Sequence, residues 1–370
     1  MTVEPTVTDG ERIVVTYTAA DASPELADAI RVEQTIEFPA EIAPQWIREQ
    51  VVGRVEHLSE RTIVISYDPR TVNGDLVQLL NLLWGNVSLF PGVRITDVVL
   101  PSVVTGWFRG PRFGIAGLRA AFDATERPLV TTALKPMGCT PEELAADAAV
   151  LATAGFDLIK DDHGLANQPW APWRERVTRV AAAVQEAAHA AGTRSVYMPA
   201  LNVPAGALVD AAHEAKAAGA GALLVLPGLV GLDAMRALAD DDSLALPIMS
   251  HPSFLGSHVV SPDQGIDHGI LLGLLLRLAG ADISVFPNHG GRFSFTPQQC
   301  LDIRDRAAQP LGAIAPSWPS PGGGMSVERI PEMIEFYGRD VALLIGGALH
   351  RGDLATNART MVEAVRAATA

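Results

Sequence analysis

In the stretch FDLIKDDHG, residues 156–164, an apolar run leads into Lys160, Asp161, Asp162 and His163 and then turns on Gly164. Such a cluster reads either as a charged loop start or as the floor of a metal site, because carboxylates and imidazoles are both metal donors. Other reactive side chains fall at comparable places, each just after a short apolar run. Lys135 follows PLVTTAL, Asn202 follows SVYMPA, His251 follows LPIMS, and His289 and Arg292 lie in NHGGR after DISVFP. Glycines follow the last two runs, Gly322, Gly323 and Gly324 in PGGG and Gly346 and Gly347 in LLIGG. Backbone amides without side chains suit an anion such as phosphate.

The elements between these points explain the spacing. From about residue 126 the chain alternates strand candidates (PLVTTAL, FDLIK, SVYMPA, ALLVLP, LPIMS, DISVFP, GAIAPS and VALLIG) with helical stretches at 141–154, 174–191, 205–218, 231–240, 263–278, 297–308, 326–338 and 353–368. Three helices are expected to open on proline-bearing capping boxes, at Thr140 (TPEE), Ser261 (SPDQ) and Thr296 (TPQQ). Near-continuously apolar strands in eight strand–helix units predict an α/β chain whose C-terminal part, 126–370, is a closed (β/α)8 barrel. Such a barrel gathers the residues above on one rim, at the C-terminal strand ends. A doubly wound sheet is disfavoured because no GxGxxG follows the first strand. Residues 1–105 read as an N-terminal α+β, ferredoxin-like domain, with strands RIVVTYTA, RTIVISYD and VRITDVVLP and helices SPELADAIRVEQ and NGDLVQLLNLLWG. A Gly-, Arg- and aromatic-rich linker is expected over 106–125.

The bulk composition excludes several classes. With 370 residues, 48% of them hydrophobic, the chain builds a large buried core. A formal charge of −14 argues against a nucleic-acid partner. Cys139 and Cys300 lie far apart without CxxC spacing, which predicts a reducing, cytoplasmic location and no thiolate metal site. The N-terminus lacks the layout of a signal peptide, and the most apolar run, ILLGLLLRLAGADISVF, is interrupted by Arg277 and Asp282. No membrane partner is expected. The six tryptophans are scattered and read as packing.

FRGPRFGI, LLWGNVSLFPGVRITDVVLP, TTALKPMG, GFDLIKDDHGLANQPWAPWRERV, PGGG and LLIGG follow the order and spacing of the large chain of ribulose-bisphosphate carboxylase, RuBisCO. The chain resembles most closely the divergent RuBisCO-like proteins (form IV type). The resemblance implies that Lys160, carbamylated by CO2, holds Mg²⁺ with Asp162 and with the residue at position 163. That residue is a glutamate in the carboxylase and His163 here, which weakens the case for Mg²⁺ and admits another divalent metal. Lys135 matches the acid–base lysine at the enolised carbon, although Met137 replaces the second lysine of its motif and Ala133 a threonine. His251 matches the strand-5 histidine. Pro252 stands where an arginine should follow it, Val285 stands near the strand-6 histidine position, and Arg292 is the only counterpart of the loop-6 lysine. The loss of those groups, with the glycines kept, implies a substrate with a single phosphate, bound at His289, Arg292, Gly322–Gly324, Gly346 and Gly347. Carbon fixation is not expected. Asn86 and Glu33 match residues that reach the active site of a second subunit, so the resemblance implies a homodimer or larger homo-oligomer with shared active sites.

The shared chemistry of that family is an enolate stabilised by a metal. The leading expectation is a lyase that decarboxylates 3-oxo-isoapionate 4-phosphate or a similar sugar acid. The alternatives are an isomerase or enolase acting on methylthioribulose-type phosphates in methionine salvage, with Met137, Phe286 and Phe293 as an apolar wall, and a non-catalytic phosphosugar-binding protein.

Overall fold

A computed structural model describes residues 11–293 and 295–369, so positions 1–10 of the expected N-terminal domain, Ser294 and Ala370 lie outside the described residues. The chain divides into two compact units. The first takes residues up to Arg109 together with Leu255–Leu271 and Leu311–Ile314, and the second takes Gly110–Phe254, Leu272–Pro310 and Ala315–Ala370. From Gly110 onward, the stretch read as a linker therefore lies inside the second unit.

The first unit carries strands β1 (Ile13–Ala19), β2 (Arg54–Leu58), β3 (Thr62–Tyr67) and β4 (Val93–Val99) and helices α1 (Pro24–Glu33) and α2 (Leu76–Trp84). In β1, Ile13, Val15, Tyr17 and Ala19 alternate inward, the period of a sheet with one buried face. Ser23 caps α1 and Asp75 caps α2, each accepting from backbone amides of the first turn. β1 pairs antiparallel with β3 and β4, and β2 extends the sheet beyond β3. The sequence reading missed β2. RVEHL is exposed along most of its length, so no hydrophobic alternation marks it.

The stretch 263–278 also departs from expectation. Gly265–Ile266 adds to the first sheet as a short strand parallel to β4, and the Ser261 carbonyl accepts from Arg94 Nη1 at 2.7 Å. The helix therefore begins only at Gly269, as a π-helical segment to Leu275, and the capping box expected at Ser261 does not form.

In the second unit, helix α3 (Gly114–Phe122) precedes eight parallel strands: β5 (Leu129–Leu134), β6 (Leu158–Asp161), β7 (Val196–Met198), β8 (Leu223–Val225), β9 (Ile248–Ser250), β10 (Ile283–Pro287), β11 (Trp318–Gly322) and β12 (Ala342–Ile345). Their order is β7-β6-β5-β12-β11-β10-β9-β8. A bridge between Ala200 and Leu224, with Leu201 N–H donating to the Leu224 carbonyl at 2.9 Å, links the two ends into a barrel. Leu129, Leu158, Leu224, Ile283 and Trp318 fill its interior. The crossover helices include α4 (Pro141–Ala154), α5 (Trp173–Ala191), α6 (Leu208–Ala217), α7 (Leu232–Asp240), α8 (Pro297–Ala308), α9 (Ile330–Tyr337) and α10 (Leu354–Ala367). The capping boxes at Thr140 and Thr296 form as expected, with both reciprocal hydrogen bonds present in each.

The seventh strand lies later than GAIAPS. Gly312 adopts φ +55° in a turn, and the strand runs through WPSPG, where Pro319 and Pro321 hid it from a propensity reading.

Gly280 precedes β10 at φ +87°, and a Cβ there would overlap that of Ala239 on α7. Gly280→Ala is expected to destabilise the fold by about 2 kcal/mol or more, measured as a lowered urea midpoint with an unchanged slope.

Candidate functional site

Strand pleating sorts the charges of IKDDH. Leu158 faces the barrel interior, so Lys160, two residues on, faces it too and is 2% exposed. Asp161 points the other way, into the layer beneath α5. There it accepts from the Tyr197 hydroxyl at 2.7 Å, the Ala200 amide at 3.1 Å and Arg176 Nε at 3.2 Å. Asp161 is thus a scaffold residue, and Asp162 and His163 lie just past the strand end.

At that rim Lys135 Nζ lies 2.8 Å from Asp162 Oδ1, and His163 Nδ1 lies 3.3 Å from the same oxygen. The His163 ring stacks on that of His251, with centroids 4.5 Å apart and planes 10° from parallel. Asn202 donates to the carbonyls of His163 and Leu165 at 2.7 and 2.9 Å, which fixes the loop leaving β6. Met137 lies against Gly164, where a Cβ would meet its Cε at 2.7 Å. Lys135, Lys160, Asp162, His163 and His251 therefore form one cluster drawn from the ends of three strands.

The electrostatics follow from burial. Burial lowers Lys160 to about 8; the Asp162 carboxylate opposes that shift and the Lys135 charge adds to it. Burial works against ionised Asp162, but hydrogen bonds from His163 and Lys135 and the charge of Lys160 outweigh it and hold the carboxyl well below its usual range. His251 is pushed far below the usual imidazole range, first by burial and then by Lys160 and His163, so it is neutral at physiological pH.

Among the described residues no three His, Cys, Asp or Glu side chains gather to hold a metal ion. Asp162 and His163 offer two donors, and a third is available only if Lys160 gains an oxygen function. Its amine is buried, makes one hydrogen bond, to the Asp161 carbonyl at 3.0 Å, and titrates near neutrality, which suits carbamate formation. With a carbamate the donor set fits a divalent cation; with a free amine it does not.

The glycine loops lie at the ends of β11 and β12. A Cβ built at Gly323, Gly346 or Gly347 would meet nothing within 4 Å, so the side-chain position of each borders open space. Gly291 packs against Gly323, and Gly324 against Gly290 and Gly291, backbone to backbone. Arg329, which the sequence reading passed over, donates through Nη1 to the Gly324 carbonyl at 3.0 Å and lies beside Gly290. Asn288, buried and bonded to the Tyr337 hydroxyl at 2.7 Å, anchors the start of the neighbouring loop. His289 lies against Phe336, with centroids 4.6 Å apart, and the Arg292 guanidinium sits over Phe293. Phe286 is fully buried, so it cannot belong to an apolar wall, whereas Met137 and Phe293 are about half exposed.

In the first unit, Asn86 Nδ2 donates to Glu33 at 2.7 Å and also reaches Glu37 at 3.4 Å. Buried Gln34 sets this pair by donating to the carbonyls of Asn81 and Leu82 and accepting from the Val87 amide.

The catalytic-domain model of the ribulose bisphosphate carboxylase large chain matches residues 114–288. Ribulose bisphosphate carboxylase-like protein 1 of Rhodopseudomonas palustris is 40% identical over 351 residues, 92% of this chain and 93% of that protein. The 5-methylthioribulose-1-phosphate isomerase of Rhodospirillum rubrum is 38% identical over 351 residues, 93% of this chain and 92% of its own length. The crystal structure of a Rubisco-like protein from Rhodopseudomonas palustris superimposes with a TM-score of 0.88 and 37% identity, covering 96% of this chain and 98% of that one.

The folded chain holds the Lys160 proton less tightly than the unfolded chain, so stability rises with pH between about 8 and the ordinary lysine value of 10.5. In buffer free of metal and bicarbonate, Lys160→Met is expected to stabilise the protein at pH 7 by up to about 3 kcal/mol. That gain should shrink through this window in thermal unfolding followed against pH.

Proposed function

The chain belongs to the ribulose bisphosphate carboxylase large-chain family, among its Rubisco-like enzymes, and on that premise we propose that it decarboxylates a monophosphorylated β-keto sugar acid such as 3-oxo-isoapionate 4-phosphate. The observation that carries this reading is the Lys135–Asp162 pair at 2.8 Å beside a floor in which His163 replaces a carboxylate. One negative charge fewer, with Lys135 and Lys160 close by, favours a substrate that brings its own carboxylate.

A divalent cation held by Asp162, His163 and a carbamate on Lys160 would offset the negative charge that develops on the substrate oxygen. As the carbon–carboxylate bond breaks, its electron pair stays on the substrate, CO2 leaves, and the Lys135 ammonium delivers a proton to the carbon. Lys135 is 35% exposed, so solvent can reload it. Asp162, 2.8 Å away, keeps it aimed until then.

One phosphate fits the other half of the site. The side-chain positions of Gly323, Gly346 and Gly347 border open space, which leaves their backbone uncovered for an anion, with His289 and Arg292 on the neighbouring loop. Where a second phosphate would need ligands, Pro252 has no donor and Val285 is buried in β10. We further propose a homodimer in which Glu33 and Asn86 are offered to a second copy. They are hydrogen-bonded to each other, Asn86 exposed and Glu33 half-buried, and Glu33 is close in sequence to the exposed apolar side chains of Phe38, Ile42 and Trp46.

A second reading, isomerisation of a methylthioribulose-type phosphate, is supported by the name of the Rhodospirillum rubrum relative and by half-exposed Met137 and Phe293, which suit an S-methyl group.

With Mg²⁺ and bicarbonate, the β-keto acid phosphate is expected to release CO2, and in D2O the product should carry deuterium at the former carboxylate-bearing carbon. Lys135→Met should lower turnover by about 10²- to 10⁴-fold. Turnover of the methylthio sugar phosphate alone would establish the second reading. Release of CO2 unaffected by Lys135→Met would remove that lysine from the mechanism.

A further inference from the structure

His251 follows β9 and is anchored by its own amide, which donates to the Val225 carbonyl at 2.9 Å. Two residues on, the chain turns back on the ring. The Ser253 backbone amide lies 3.3 Å and its hydroxyl 2.9 Å from His251 Nδ1. The next residue, Phe254, completes the turn at φ +72° with its side chain 72% exposed, a conformation and an exposure unusual for an aromatic residue.

The donor inventory decides the arrangement. A backbone amide can only donate, so at 3.3 Å it biases a neutral ring towards an unprotonated Nδ1, and the closer hydroxyl, donating to the same lone pair at 2.9 Å, supplies the larger share of that bias. A proton on Nδ1 would leave the Ser253 amide facing another N–H.

We infer that Ser253 is a positioning residue that fixes His251 as the Nε2–H tautomer, so that this ring is a neutral hydrogen-bond donor to a carbonyl or hydroxyl oxygen of the substrate. The face of the ring is held by the stack on His163. The ring can then turn away neither its face nor its donor. Nothing in the residue type announced this, because a serine near a histidine is common and its role depends on the turn at Pro252–Phe254. The inference deepens the role proposed for this site, but its first test needs no substrate.

The test is nitrogen-15 NMR of the histidine rings in the full-length protein at neutral pH. The His251 signals among the nine histidines are identified by their loss in His251→Gln. A pyridine-type Nδ1 and a pyrrole-type Nε2 are expected in the wild type. Ser253→Ala should move both towards a tautomer mixture, and Ser253→Thr should restore them. With a turned-over substrate, Ser253→Ala should lower kcat roughly tenfold, the size of one lost hydrogen bond, with KM little changed, and Ser253→Thr should recover most of it. A pyrrole-type Nδ1 in the wild type overturns the inference whether or not the variants fold. So does a folded Ser253→Ala protein whose ring signals and kcat match the wild type. Failure of the proposed substrate, by contrast, leaves the NMR result intact.

Discussion

The site depends on the ion pair between Asp161 and Arg176, both side chains fully buried at 3.2 Å. Adjacent residues on a strand face opposite ways, so a chain that delivers Lys160 to the barrel interior must send Asp161 under α5. A carboxylate there costs several kcal/mol unless it is matched. Arg176 from the first turns of α5, the Tyr197 hydroxyl from β7 and the Ala200 amide match it. The same Arg176 reaches the carbonyls of Ala166 and Ala171, so the network that neutralises Asp161 also shapes the loop after His163. Catalytic geometry on one face of β6 is therefore purchased by a salt bridge on the other.

On the interior face the charges are arranged to stay unequal. Asp162 is surrounded by donors and remains ionised, Lys160 is lowered by burial to about 8, and His251 is held below the usual imidazole range. Neighbouring groups driven apart in this way allow a single pocket to hold a proton donor and a nucleophilic amine together.

Much of this was legible in the sequence, and the parts that were not share a cause. Barrel strands buried on both faces announce themselves as apolar runs, and the proline-bearing boxes at Thr140 and Thr296 marked two helix starts. The strand through Trp318–Gly322 was hidden because Pro319 and Pro321 read as breakers, although each pairs with β10 on an already curved barrel wall. β2 was hidden because an exposed edge strand has no hydrophobic period. At the site, Lys135, Lys160 and Asp162 were legible because they end strands. Ser253 and Arg329 were not, since each acts through backbone groups that exist only after folding. Phe286 shows the converse error, an aromatic beside the site whose strand face turns it into the core.

The seam between Gly290–Gly291 and Gly323–Gly324 bears on how such an enzyme can change. The two loops meet backbone to backbone, and Gly290, Gly323 and Gly324 hold φ values of +71°, +101° and +68° that side-chain-bearing residues rarely adopt. That end of the pocket resists stepwise alteration, because a replacement at any of these three glycines strains the backbone. Met137, by contrast, is about half exposed at the Lys135 end and accepts new shapes at small cost. A barrel built this way keeps a constant handle for one end of its ligand and leaves the other end open to drift, so new specificities arise without rebuilding the scaffold.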